Sequence, residues 1–238
     1  MPVITCTPIG RFGNQLFSYA FARGYAEHHG YDFQCTSWLG QQVFVLEDAP
    51  ITTKGLRSAN ELTANGEGDL HFHTYGQSQK ALFYTRSQAR KWFQVHSNIL
   101  ESLPDRRDAF VAHWRSGDYK GYHYPVVSRK SIYRACDQQG FDVSRLCIIS
   151  DEWPTQDNRY KGSMDFLPDW IRLLRAEILF RANSSFSWWA GVLGNAKRIF
   201  SPVIDGLEGG KEHDVEFVEG NYPRLANLDF VTDLHLAN

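Results

Sequence analysis

The sequence predicts an α/β protein of two lobes, each a parallel sheet with helices on both faces. Three observations carry that reading. Short apolar stretches suited to strands alternate with helical spacing through both halves of the 238 residues, and strands separated by helices call for parallel sheets. Leu103-Pro104-Asp105 punctuates the chain between the two runs, because Pro interrupts regular structure. Hydrophobic residues make up 42% and charged residues 22%, a globular balance that excludes disordered, collagenous and coiled-coil chains. The expected divisions are residues 1–104, 105–220 and a tail over 221–238 that packs back on the lobes.

In the first lobe, residues 2–7 read as a strand that meets the turn Pro8-Ile9-Gly10-Arg11-Phe12-Gly13. Phe17, Ala20, Phe21 and Gly24 then fall at i, i+3, i+4 and i+7, one helix face, with Gly30 as the stop. Residues 31–36 form the next strand. The stretch 40–75 reads as polar and irregular around Gly66-Glu67-Gly68-Asp69, and 79–100 as helical. The second lobe alternates more clearly. Strands are expected over 109–115, 145–150, 177–182 and 197–202, and helices over 128–139, from near Pro168, and over 184–193. No internal repeat or low-complexity tract interrupts the pattern.

Composition and missing motifs narrow the function. With 25 basic against 27 acidic residues, the chain lacks the concentrated positive charge of a nucleic-acid or anionic-membrane surface. Arg outnumbers Lys 17 to 8, which favours bidentate recognition of phosphate or carboxylate. No apolar run reaches the roughly 18–20 residues of a membrane span, and the N-terminus lacks the basic region of a signal peptide. Cys6, Cys35, Cys136 and Cys147 show no short paired spacing and read as free thiols in a reducing, cytoplasmic compartment. There is no Walker loop, GxGxxG, HExxH, GxSxG or CxxC. None of the nine His stands at metal-ligand spacing with Cys. For His71-Phe72-His73, strand alternation is a better explanation than a metal pair.

In open α/β sheets, ligands bind beyond the carboxyl ends of the strands, and those segments are rich here. Gly10-Arg11-Phe12-Gly13-Asn14-Gln15 is a flexed turn feeding a helix N-terminus, whose amides suit an anion. A plain βα turn is the alternative. In His113-Trp114-Arg115-Ser116-Gly117-Asp118-Tyr119, the planar fork of Arg115 suits diphosphate oxygens, and an Arg115–Asp118 structural ion pair is the alternative. Ser150-Asp151-Glu152 brings two carboxylates to the same rim, or simply caps a helix. Asn183-Ser184-Ser185-Phe186 combines hydroxyls and amides into a neutral phosphate cradle ahead of a stripe of Phe186, Trp189, Ala190 and Leu193.

Three of these segments, in order, closely resemble the α-1,2-fucosyltransferases of glycosyltransferase family 11: Gly10-Arg11-Phe12-Gly13-Asn14-Gln15-Leu16-Phe17, His113-x-Arg115-x-Gly117-Asp118-Tyr119 and Asn183-Ser184-Ser185-Phe186-Ser187-Trp188-Trp189. Gln77-Ser78, Ser150-Asp151-Glu152 and Asp169 match weaker family positions, so the resemblance runs from about residue 3 to 202. It implies a GT-B architecture, two Rossmann-like lobes facing across a cleft, the first on the acceptor side and the second binding the nucleotide sugar. It implies inverting, metal-independent transfer of L-fucose from GDP-fucose, the donor substrate, to a glycan hydroxyl, with no resident cofactor or metal. Arg115 would hold the diphosphate, and Asp118 would orient Arg115 or contact the fucose. His113 and Asp169 would face the guanine-ribose end, with Asp151 at the same donor rim. Asn183, Ser184, Ser185 and Phe186 would line the phosphate cradle. Arg11, as a catalytic residue, and Gly13 and Asn14, as donor-binding ones, would reach across from the first lobe, with Gln77 an acceptor-side or base candidate. Asp118 and His123 are the candidates for general base. Three departures stand out: Ser116 replaces the family's second arginine, Glu152 its second aspartate, and the interval between the first two motifs is shorter. Another nucleotide-sugar donor, or a non-catalytic binding relative, is the alternative reading.

Overall fold

The computed structural model describes residues 1–78, 81–82, 84, 88–103, 108–121, 124–151 and 164–222. The chain divides into two compact units, Met1–Ser102 and Leu103–Asn238.

The first unit runs β1 (Val3–Cys6), α1 (Phe12–His29), β2 (Asp32–Cys35), α2 (Gly40–Val43), β3 (Arg57–Ala59), β4 (Leu70–Phe72), α3 (Ala89–Trp92) and α4 (Ser97–Ser102). Its four strands are parallel in the order β2-β1-β4-β3. All four residues of β1 are buried, as an apolar, β-branched central strand should be. The helix α1 stops at Gly30, whose φ of 70° lies in the left-handed region and whose N–H donates to the Ala26 carbonyl. It buries the expected Phe17, Ala20, Phe21 and Gly24 and much more, Tyr19 and Tyr25 included. Phe21 meets Phe72 of β4 at a ring separation of 4.8 Å, so α1 lies against β4 as well as β1.

Two expectations for this unit need correction. The stretch 40–75 is not wholly irregular: it holds α2, β3 and the buried, central β4, paired with β1 through Ile4 and Leu70. β4 includes the His71-Phe72 alternation expected of a strand, whereas β3, of three residues, is exposed at Arg57 and Ser58 and shows no clear period. Nor is 79–100 one helix. Between α3 and α4 the chain opens so that Val45 N–H donates to the Gln94 carbonyl and His96 N–H to the Val43 carbonyl. That pairing breaks the helical ladder.

The second unit runs β5 (Phe110–Trp114), α5 (Gly117–Gly121), β6 (Val126–Val127), α6 (Arg129–Gln138), β7 (Leu146–Ser150), α7 (Leu167–Arg175), β8 (Ile178–Phe180), α8 (Ser185–Leu193), β9 (Arg198–Pro202), β10 (Glu212–His213) and β11 (Phe217–Glu219). Its main sheet has the order β11-β9-β8-β5-β7 and is parallel except for the antiparallel edge strand β11. On one face Ala112, Trp114, Phe180 and Phe200 pack against Ile132, Ala135 and Cys136 of α6. Ser128 caps α6 by accepting from the Ser131 N–H. Residues that alternate to the other face include His113, Arg181 and Ser201.

Sequence spacing missed β6, β10 and β11, each two or three residues long. The α8 stripe also differs from expectation. Ser187, Trp188, Trp189, Ala190, Gly191 and Val192 are buried, whereas Phe186 and Leu193 are only half-buried. A second covering element explains this, because the Asn221 side chain donates to the Trp188 carbonyl and closes the side of α8 that a single-faced helix would expose. All four cysteines are free thiols.

Candidate functional site

In the second sheet the chain passes from β5 outward to β7 and then returns to β8 on the other side of β5. The strand order therefore reverses between β5 and β8, the place where open α/β sheets leave a crevice at their carboxyl ends. The loops leaving these two strands carry Arg115 to Asp118 and Arg181 to Ser184.

Arg115 grips Asp118 with both edges of its fork, Nε to Oδ1 at 3.1 Å and Nη2 to Oδ2 at 2.8 Å. Asp151, at the end of β7, completes the arrangement. Its Oδ1 accepts the main-chain N–H groups of Ser116 and Gly117 at 3.0 and 3.2 Å, and its Oδ2 lies 3.5 Å from Arg115 Nε. Gly117 allows this approach, since a Cβ there would sit 3.2 Å from Asp151 Oδ2. Burial disfavours the Arg115 charge, but Tyr119, Asp118 and Asp151 more than offset it and raise its pKa. The Arg115 guanidinium also lies 5.1 Å from the centre of the Tyr119 ring.

The loop after β8 is joined to this constellation. Tyr119 donates its hydroxyl to the Asn183 carbonyl at 2.7 Å, and Asn183 Nδ2 donates to the Pro125 carbonyl at 2.9 Å. Burial pushes the Tyr119 phenol up to about 12, so it remains a donor at neutral pH. Ser184 is the N-cap of α8 and accepts from the Phe186 N–H at 3.3 Å. Ser185, half-buried, opens the helix. The Phe186 ring stands 5.5 Å from the His113 ring. Burial, with Arg115 and Arg181 nearby, pushes His113 down to about 3, which keeps the imidazole neutral.

The expected residues are thus distributed unevenly. His113, Arg115, Asp118, Asp151, Asn183, Ser184, Ser185 and Phe186 gather at adjacent strand ends of the second unit. Asp169 is half-buried in the first turn of α7. Parallel β7 and β8 require α7 to run back along the sheet, so that turn lies at the carboxyl edge. His123 and Glu152 lie outside the described residues, as does the tail beyond Tyr222. Arg11, Gly13, Asn14 and Gln77 belong to the first unit, where the order reverses between β1 and β4. There Gln77 Nε2 donates to Asn14 Oδ1 at 2.9 Å, and Arg11 is the N-cap residue of α1. Gly10, at φ 78°, turns the chain beneath Asn14 and Tyr75.

Sequence reasoning missed two site residues. Tyr119 closes its motif in the sequence, and nothing in the spacing gives it a role. Arg181 is a cation closing the apolar run Ile178-Leu179-Phe180, a signal that was available. Among the described residues, no three His, Cys, Asp or Glu side chains gather as a metal site, and no helix is long and apolar enough to cross a membrane.

Two α/β units on mainly parallel sheets, with polar loops at the reversal points, make a GT-B-like α/β fold. Solved structures carry the comparison further. The chain resembles fucosyltransferase NodZ from Bradyrhizobium, at 14% identity and a TM-score of 0.58, over 92% of this chain and 98% of that one. It matches NodZ alpha-1,6-fucosyltransferase co-crystallized with GDP at 14% identity and a TM-score of 0.56, over 93% and 99%. It matches the same enzyme soaked with GDP-fucose at 12% and 0.54, over 92% and 99%. No family model matches the chain. No curated protein sequence matches it either. At these identities the likeness is one of fold.

Proposed function

We propose that the chain is an inverting, metal-independent glycosyltransferase that moves L-fucose from GDP-fucose to a glycan hydroxyl, with α-1,2 linkage, as in glycosyltransferase family 11. The observation that carries this reading is the Arg115–Asp118–Asp151 constellation at the β5/β8 reversal point. It stands in a fold shared with fucosyltransferase structures that were solved with GDP and GDP-fucose.

In this reading the second unit holds the nucleotide sugar and the first presents the acceptor, which is also where Arg11, Gly13, Asn14 and Gln77 would act. A cytoplasmic location belongs to the same reading. The acceptor oxygen attacks the anomeric carbon as the bond to the β-phosphate breaks; the electron pair leaves with GDP, and the hydroxyl proton passes to a general base and on to water. Negative charge grows on the leaving diphosphate. Fixed donors that need no reorganisation stabilise that charge most effectively. Arg115 is such a group: Asp118 holds its fork, and Asp151 holds the main chain beneath it. Ser185 and the first amides of α8 supply neutral donors for the phosphates. With both its oxygens bonded to Arg115, Asp118 acts by orienting that side chain. His113, neutral and packed on Phe186, contributes shape at the nucleoside end.

The test is release or transfer of fucose from GDP-fucose, followed with and without EDTA. Activity should survive EDTA and fall by about 10²–10³ in Arg115→Ala, with the circular dichroism spectrum unchanged. Full activity in a folded Arg115→Ala protein would overturn the assignment.

A further inference from the structure

Arg181 is the other guanidinium at this strand end, and its surroundings differ from those of Arg115. It is 1% exposed, at the carboxyl end of β8, where strand pairing continues from Ala112–Phe180 and so sets it beside His113 on the same face of the sheet. Its Nε donates to Ser201 Oγ at 2.9 Å, its Nη2 to the Tyr222 carbonyl, and its Nη1 has no partner among the described residues. No carboxylate pairs with it among those residues.

Burying a charge without a counter-ion is costly. The two hydrogen bonds that Arg181 makes do not account for the expense, because neutral donors serve a hydroxyl and a carbonyl equally well. Arg115, by contrast, is already answered by Asp118 and Asp151. Those carboxylates offset part of its charge, while its fixed fork keeps the role of donor to the leaving diphosphate. His113 is neutral and lends no charge. Both guanidiniums lie near enough to His113 and Tyr119 to act on them electrostatically. Among the described residues, Arg181 is the buried guanidinium at this strand end that no carboxylate pairs with.

We propose that Arg181 is a positioning residue for the leaving diphosphate: a buried, fixed charge at the end of β8 that makes the site electropositive enough to hold two phosphates. The inference rests on the nucleotide-sugar reading above and adds a residue to it. Burial lowers the Arg181 pKa to about 9, which still leaves it charged at neutral pH.

The experiment is calorimetric titration of the full chain with GDP, guanosine and inorganic pyrophosphate, comparing wild type, Arg181→Met and Arg181→Lys. Arg181→Met should weaken GDP and pyrophosphate by about tenfold or more, the scale of one charge-assisted interaction, and leave guanosine unchanged. Arg181→Lys should restore most of the loss. Equal losses for GDP and guanosine, or no loss, would mean that Arg181 only ties β9 to the Tyr222 segment and would overturn the proposal. So would a Lys variant as weak as the Met variant. A wild-type protein that binds neither GDP nor pyrophosphate would overturn the nucleotide reading itself, and this inference with it. If Arg181→Met does not fold, the ¹⁵N–H signal of Arg181 Nε in wild type decides: it should move and saturate with pyrophosphate, and a signal that stays fixed overturns the proposal.

Discussion

The hydroxyl of Tyr119 donates to the main-chain carbonyl of Asn183 at 2.7 Å, while its ring lies 5.1 Å from the Arg115 guanidinium. One side chain thus ties the loop after β5 to the loop after β8 and also gives Arg115 a wall to rest against. The two loops flank the place where strand order reverses, so their relative position sets the shape of the crevice.

Tyr119→Phe tests that tie. It removes one hydrogen bond and keeps the ring, so the stability loss should be only about 1 kcal/mol. The fall in turnover should exceed what that loss explains at temperatures where the variant is fully folded. Denaturant titration and initial rates on one preparation separate the two effects.

Asp151 is expected to support the main chain more than to bind a ligand. Asp151→Ala leaves the N–H of fully buried Ser116 without its acceptor, at a cost of about 1–3 kcal/mol. Asp151→Asn retains an oxygen and should cost less. The order of the two denaturation midpoints checks the assignment.

His113 makes the stability depend on pH. Its folded pKa, about 3, lies below the ordinary value of 6.5, so the unfolded chain takes up a proton that the folded one refuses. The contribution is complete above pH 6.5 and is lost as pH falls from there toward 3. His113→Gln should flatten the pH dependence by up to about 1.4 kcal/mol per pH unit over that window. Denaturant midpoints for both proteins at pH 7, 6 and 5 measure the difference in slope.

Gly10 should resist substitution. Its φ of 78° disfavours any Cβ, and a Cβ there would stand 2.9 Å from Asn14 Nδ2 and 3.0 Å from Tyr75 Cε1. Gly10→Ala is expected to cost about 1–2 kcal/mol, visible as a lower melting temperature, and to disturb the Asn14–Gln77 contact.

Much of this was legible in the residues because the informative signals were local. A Gly-flexed turn after β1, a long apolar helix stopped by Gly30, and Ser184 ahead of an aromatic helix each act over a few residues. The Arg115–Asp118 ion pair was one of two readings of its segment, and the structure has it. What the sequence withheld was long-range. Nothing in Arg57-Ser58-Ala59 or Leu70-His71-Phe72 announces that β4 lies beside β1 and β3 at the sheet edge. The β5/β8 reversal depends on strand order, which no local pattern encodes. Asp151 looked like a helix cap or rim carboxylate, and only the fold brings it under the Ser116 and Gly117 amides. Arg181 was visible as a cation ending an apolar strand, but that no carboxylate among the described residues pairs with it is a three-dimensional fact.

The central claim is that the second unit holds a guanosine diphosphate sugar. Calorimetric titration of the wild-type chain with GDP and with UDP, in EDTA, tests it most directly. The account predicts saturable one-to-one binding of GDP and little or none of UDP. Preference for UDP, or no binding of either nucleotide, would contradict it.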